Sequence, residues 1–230
     1  DLTAPRYNLG SCSSATRGVW AGGTATTNVI DYVEFSTSGK AADFGDLITA
    51  VTSITGLSNS TRGVFSGGYT GSVAINVIQY ITIATTGNTT DFGDLLNILN
   101  NGGACASSTR GIIAGGNNAT GTNFNVIQYI TIASTGDAID FGDLTNGHNP
   151  AALSSCSSST RGLFAGGSIG GTGVNIIDYV TIASAGNATD FGDLFTALEG
   201  IASASSSTIA VFAGGYDTGY SNVIQYVTIA

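Results

Sequence analysis

The chain has 230 residues, of which 42% are hydrophobic and only 9% charged, with six basic side chains against fifteen acidic ones for a formal net charge of −9. That balance excludes a nucleic-acid reader, which needs a basic stripe. No apolar run approaches the ~18 residues of a membrane span and no basic-then-apolar leader opens the chain, so neither membrane insertion nor a signal peptide is expected. The hydrophobic fraction excludes general disorder despite 34 Gly, and Met is absent, which reads as a processed chain, an excised piece or an incomplete sequence.

In chain order, the same elements recur five times. Each unit opens on a Ser/Ala-rich stretch (Ser11 to Ala15, Ser154 to Ser159) that predicts a short strand in a crowded place. Thr-Arg-Gly, two apolar residues, a small residue and Gly-Gly follow at 16–23, 61–68, 109–116 and 160–167, with a worn copy at 208–215. This apolar run predicts a second strand, and the free backbone of Gly-Gly predicts a sharp turn after it. A β-branched, alternating run starting at Asn28, Asn76, Asn125, Asn175 and Asn222 predicts a third strand, as in Val77-Ile-Gln-Tyr-Ile-Thr-Ile. A Gly-containing turn leads to Asp-Phe-Gly-Asp-Leu at 43–47, 91–95, 140–144 and 190–194, a predicted fourth strand. No window carries a capped 3.6-residue stripe, so no helix is expected.

Four short strands per roughly 46 residues, five times over, predict an all-β fold: a single five-bladed β-propeller of four-stranded blades. The repeats fall at approximately 1–47, 48–95, 96–144, 145–194 and 195–230. A β-solenoid is the runner-up, but its coils are shorter. The apolar run ending in Gly-Gly (Val64-Phe-Ser-Gly-Gly68) followed by a Tyr-bearing strand (Tyr80) resembles the kelch repeat over nearly the whole chain. Kelch repeats place a Trp soon after that Tyr, whereas here Phe92 follows twelve residues later. The Asn-Val-Ile-x-Tyr and Asp-Phe-Gly-Asp-Leu blocks are similar to kelch-like repeats of marine phage and metagenomic proteins. That resemblance implies a virion or extracellular setting. One fold hosts many activities, so it leaves the ligand open.

The last unit ends after its third strand, so blade five lacks its outer strand, through truncation or because a partner strand fills the edge. Arg17, Arg62, Arg110 and Arg161 each share a unit with an Asp-Phe-Gly-Asp block, whereas unit five has Ile209 and no block. The turns flanking these elements share one end of a blade. The expectation is therefore an intrablade pair of Arg17 with Asp43 or Asp46, Arg62 with Asp91 or Asp94, Arg110 with Asp140 or Asp143, and Arg161 with Asp190 or Asp193.

Catalytic chemistry is not expected. His148, in Asn146-Gly-His-Asn-Pro150, is the single histidine, and no nucleophile elbow accompanies it. Cys12, Cys105 and Cys156 each stand five residues before a repeat Arg, where Leu57 and Ala204 stand elsewhere; this predicts buried packing sites rather than zinc ligands or disulfides. Paired aspartates such as Asp43 and Asp46 could ligate calcium, but with an Arg in the same unit a structural role is expected, and no metal or cofactor. Trp20 stands where the other units have Phe65, Ile113, Phe164 and Phe212, and is expected in the core with Tyr32, Tyr80, Tyr129, Tyr179 and Tyr226.

Variation is uneven. The Asn-to-Leu segment keeps 20 residues in four copies, while the stretch after Gly-Gly has 4, 7, 8, 7 and 6 residues of unrelated sequence. Binding favours variable loops on a rigid scaffold. The candidate ligand residues are therefore Tyr69, Asn117, Asn118, Phe124, His148, Tyr216, Asp217 and Tyr220. The expected function is a non-catalytic binding or structural module that meets a protein or glycan surface, as a phage virion or tail-associated part or as a lectin with one weak site per blade.

Overall fold

The computed structural model describes residues 1–145, 153–169 and 171–229. Among them there is no helix; 21 strands form five small antiparallel sheets in a five-blade β-propeller arrangement, with a two-stranded hairpin in one loop. The first sheet is β1 (Gly10–Ser13), β2 (Arg17–Ala21), β3 (Thr27–Glu34) and β4 (Ala42–Val51). The second is β5 (Thr55–Ser58), β6 (Arg62–Ser66), β7 (Ile75–Thr82) and β8 (Thr90–Leu99). The third is β9 (Gly103–Ala106), β10 (Arg110–Ala114), β11 (Val126–Thr131) and β12 (Ile139–Asp143). The fourth is β13 (Ser154–Ser157), β14 (Arg161–Ala165), β17 (Ile176–Thr181) and β18 (Thr189–Asp193); β15 (Ser168–Ile169) and β16 (Thr172–Gly173) make the hairpin between its middle strands. The last has three strands, β19 (Ala202–Ser205), β20 (Ile209–Ala213) and β21 (Ile224–Thr228).

Two compact units emerge, one of Asp1–Asn100 with Ile130–Ala138 and one of Asn101–Tyr129 with Ile139–Ala230. Each is built by the same face-to-face packing of sheets. In the first unit Cys12, Val19, Ile30 and Phe44 of one sheet cover Phe65, Ile81 and Ile83 of the next. In the second unit Cys105, Ile112, Ile127 and Phe141 meet Phe164, Val180 and Ile182, and Cys156, Leu163 and Ile177 meet Phe212, Ala210 and Ile229. The cysteines are the expected packing residues: all three are buried and free, and burial pushes the Cys12 and Cys156 thiols up to about 12.

The Asp-Phe-Gly-Asp-Leu block proves to be the strip on which the neighbouring sheet is clasped. The turn between the third and fourth strands of one sheet lies along the block of the sheet before it. Gly87 N donates to Phe44 O (2.7 Å), Thr89 N donates to Asp46 O (2.9 Å), and the Asn88 side chain accepts from Asp46 N (3.0 Å). The second unit repeats this with Ala188 N on Asp143 O (2.8 Å) and Asn187 accepting from Asp143 N (3.1 Å). The block's glycine is required by this approach. Gly142 has φ +146°, and a Cβ there would lie 2.5 Å from the backbone of Gly186. The fourth strands of the first two sheets run ten residues, twice the expected length. The block is followed there by Ile48 to Val51 and Leu96 to Leu99, which stay extended and pair back to Thr27 and Ile75 across a bulge.

Candidate functional site

The turn between strands one and two, repeated from unit to unit, positions the repeat arginine. A short polar side chain three residues earlier accepts from the Arg backbone N–H: Ser14, Asn59, Ser107 and Ser158 do so at 2.8–3.2 Å. The guanidinium is then laid over the Tyr of its own sheet, with Cζ 4.8, 4.2, 4.3 and 4.9 Å from the ring centres of Tyr32, Tyr80, Tyr129 and Tyr179. Its Nη1 donates to a carbonyl of the following sheet: Ile83 for Arg17, Ile132 for Arg62, Ile182 for Arg110 and Ile229 for Arg161, at 2.7–2.9 Å.

The expected Arg–Asp pairs are thereby corrected. Among the described residues the two ion pairs are Arg6–Asp31 and Arg17–Glu34, both at 2.7 Å. Arg17 pairs within its blade, but with Glu34 rather than Asp43 or Asp46; Arg62, Arg110 and Arg161 pair with none of Asp91, Asp94, Asp140, Asp143, Asp190 or Asp193. Register is the reason. Arg62 is opposite Thr82, whereas Asp91 is opposite Gln79 and Asp94 opposite Val77. Three residues along a strand is roughly 10 Å, and the Tyr80 ring lies between. In the fourth sheet Arg161 faces Thr181 while Asp190 faces Asp178. The block aspartates lie at the surface, exposed or half-buried, and their backbone rather than their charge does the clasping.

Sequence reasoning missed the residue before each repeat Tyr. Asp31, Gln79, Gln128, Asp178 and Gln225 are buried polar side chains in otherwise apolar surroundings. Each of four reaches the chain just beyond an Asp-Leu pair. Gln79 accepts from Ile48 N and Gln225 from Phe195 N, both at 2.8 Å, while Asp178 accepts from the N–H and hydroxyl of Thr145. Asp31 does the same with Thr3, and Asp1 O accepts from Ala41 N as Asp143 O does from Ala188 N. The opening Asp1-Leu2-Thr3 thus sits on the first sheet as Asp143-Leu144-Thr145 sits on the fourth. The signal was present: an Asp or Gln recurs at a position whose alternation is otherwise apolar.

The variable loops lie at the other end of the sheets. Tyr69 exchanges two backbone hydrogen bonds with Thr52 (2.8 and 3.0 Å) and is half-buried. In the second unit the Asn118 side chain accepts from Thr120 N, Thr120 Oγ1 and Thr122 N, closing its own loop, and Asn117 bridges Asn123; Phe124 is half-buried. These residues shape their loops. The loop after Gly215 is anchored in the same way but exposes its rings. Tyr216 bridges both Glu199 and Tyr220, and the two rings meet edge to face at 5.5 Å. Tyr216 is 44% exposed and Tyr220 95%, with Asp217 exposed between them. Of the predicted ligand residues, the structure brings together Tyr216, Asp217 and Tyr220; Tyr69 belongs to the first unit, and His148 lies outside the described residues.

Two aromatic expectations change. Tyr32, Tyr80, Tyr129 and Tyr179 are half-buried and meet Phe44, Phe92, Phe141 and Phe191 edge to face, but Tyr226 is 71% exposed. Trp20 is only half-buried while Phe65, Phe164 and Phe212 are wholly buried, because its face of the first sheet, shared with the exposed Phe35, is open to solvent.

No family model and no curated protein matches this chain. The solved structure of YjhT does, at a TM-score of 0.79 over 94% of this chain and 73% of that one. With 9% sequence identity between them, the likeness is one of fold: this chain is a β-propeller.

Proposed function

We propose that this chain is a non-catalytic binding module that presents the loop 216–221 to a protein or host surface, as a virion or tail-associated part of the kind its kelch-like and phage-like blocks suggest. The observation that carries this reading is the division of labour along each repeat. The arginines, the Asp-Phe-Gly-Asp-Leu blocks and the cysteines are consumed in holding sheets together. The loop after Gly215 is anchored at Tyr216 by two backbone hydrogen bonds to Glu199, yet it holds two tyrosine rings out from the surface.

The exposed Tyr216–Tyr220 pair with Asp217 beside it also favours the second reading, a lectin, since aromatic faces stack on sugars and a carboxylate accepts from sugar hydroxyls. One experiment tests both: binding of the chain and of a Tyr216→Ala/Tyr220→Ala variant to intact host cells and to a glycan array. Loss of cell binding in the variant supports the module; array binding competed by free monosaccharide supports the lectin. Equal cell binding by both proteins would overturn the assignment to this loop.

A further inference from the structure

We infer that the cleft beside Arg110 is a binding site for a small carboxylate that carries hydroxyl groups. The cleft, of about 360 Å³, opens where the turn before β10 faces the turn before β14 and the end of β17. Thr109, Ser159, Thr160 and Thr181 line it, and all four are exposed. Its charge comes from Arg110. Holding the sheets together uses only part of this guanidinium: of its five N–H donors, one on Nη1 goes to Ile182 O at 2.9 Å. Among the described residues the ion pairs involve Arg6 and Arg17, and none involves Arg110. The site lies at the arginine-bearing end of the sheets, away from the loop 216–221, and does not rest on the reading of that loop.

The first sheet shows what the open side of such a guanidinium accepts. Arg17 takes the same pose as Arg110, with Cζ over the Tyr of its own sheet and Nη1 donating to Ile83 O at 2.9 Å. Its Nε then donates to Glu34 Oε1 at 2.7 Å, and Glu34 is the residue directly opposite it. Thr82 stands opposite Arg62 and Thr181 opposite Arg161, and Thr131 holds the same repeat position in the third sheet. Threonine brings no charge, so Arg110 is without the carboxylate that Arg17 carries. A planar carboxylate matches the edge of a guanidinium, two oxygens to two N–H groups. The cleft has room for more than that group. Hydroxyls on its walls both donate and accept, which selects a ligand with hydroxyls next to its carboxylate.

The test follows the arginine Nε–Hε signals of the full chain by NMR while glucuronate, acetate, sulfate or glucose is added at constant ionic strength. Glucuronate is expected to shift the Arg110 signal saturably, binding about tenfold more tightly than acetate. The Arg17 signal, already paired, stays in place, and glucose moves neither. Ser159→Ala with Thr181→Ala is expected to bring glucuronate down to the level of acetate, and Arg110→Lys to abolish the preference. Should the Arg110 variant not fold, Glu34→Thr carries the test. It frees Arg17 beside Thr16, Ser60, Thr61 and Thr82, the repeat counterparts of the four cleft residues, and is expected to make the Arg17 signal respond to glucuronate. No saturable shift at Arg110, acetate or sulfate binding as tightly as glucuronate, or an Arg17 signal that moves equally in the parent chain would overturn the proposal. So would a Glu34→Thr variant whose Arg17 signal stays unmoved.

Discussion

The fourth and last sheets are near copies in sequence and opposites in environment. Ile177 and Ile224 hold the same repeat position, yet one is 1% exposed and the other 74%; Tyr179 is half-buried on Phe191, while Tyr226 is 71% exposed. The strands fold alike because alternation and β-branching act locally. Burial of Ile177 is supplied by the fourth strand, whose Leu194 packs in the same cluster. A repeat unit of this kind cannot bury its own apolar face, so its stability resides in interfaces between units.

The sharpest way to break that contrast is to truncate the two isoleucines. Ile177→Ala removes a fully buried side chain and is expected to cost about 2–5 kcal/mol in urea unfolding. Ile224→Ala is expected to stay within ~0.5 kcal/mol; equal costs would refute the contrast. Next come the block glycines. Gly142→Ala forces a Cβ against the Gly186 turn, whereas Gly192, at the same position with φ +136°, has nothing within 4 Å of the added carbon. The first change is expected to cost about 2–4 kcal/mol and the second ~1 kcal/mol, the backbone strain alone, by the same measurement.

Exchanging Arg161 and Ile209 sharpens the comparison further. Arg161→Ile loses the stack on Tyr179 and the bond to Ile229 O, and about 1–3 kcal/mol of stability is expected to go with them. Ile209→Arg in the last sheet is expected to change little. Asp190→Asn and Asp193→Asn are expected to fall within ~0.5 kcal/mol, since neither carboxylate pairs with Arg161.

The smallest effect is one of pH. The native Cys12 and Cys156 thiols ionise near 12 and the unfolded ones near 9, so between these values the native state holds more protons. Stability therefore falls as pH rises from about 9 towards 12. Cys12→Ala with Cys156→Ala is expected to flatten that decline, measured as urea midpoints from pH 8 to 10.5. An unchanged slope would place these thiols in solvent.

Much of this architecture was legible in the residues. The period near 46, the Gly-Gly turn and the alternation of Val77 to Ile83 dictate short antiparallel strands through backbone freedom and side-chain parity, which are local properties. The Cys positions were legible because Leu57 and Ala204 replace them, which only an apolar site tolerates. The partners of the arginines were not. Unit-by-unit coincidence of Arg and Asp reflects two separate duties, a guanidinium reaching the next sheet and a backbone strip receiving the next turn, and proximity in sequence does not encode register.

Sequence alone determined the strands, their order and the repetition, because each follows from propensity and period within a few residues. Tertiary structure alone decided which identical side chains are buried, where each guanidinium donates, and which loop holds its aromatics outward. Those outcomes depend on groups brought within a few ångströms from 42 to 72 positions away, a distance at which the local pattern carries no instruction.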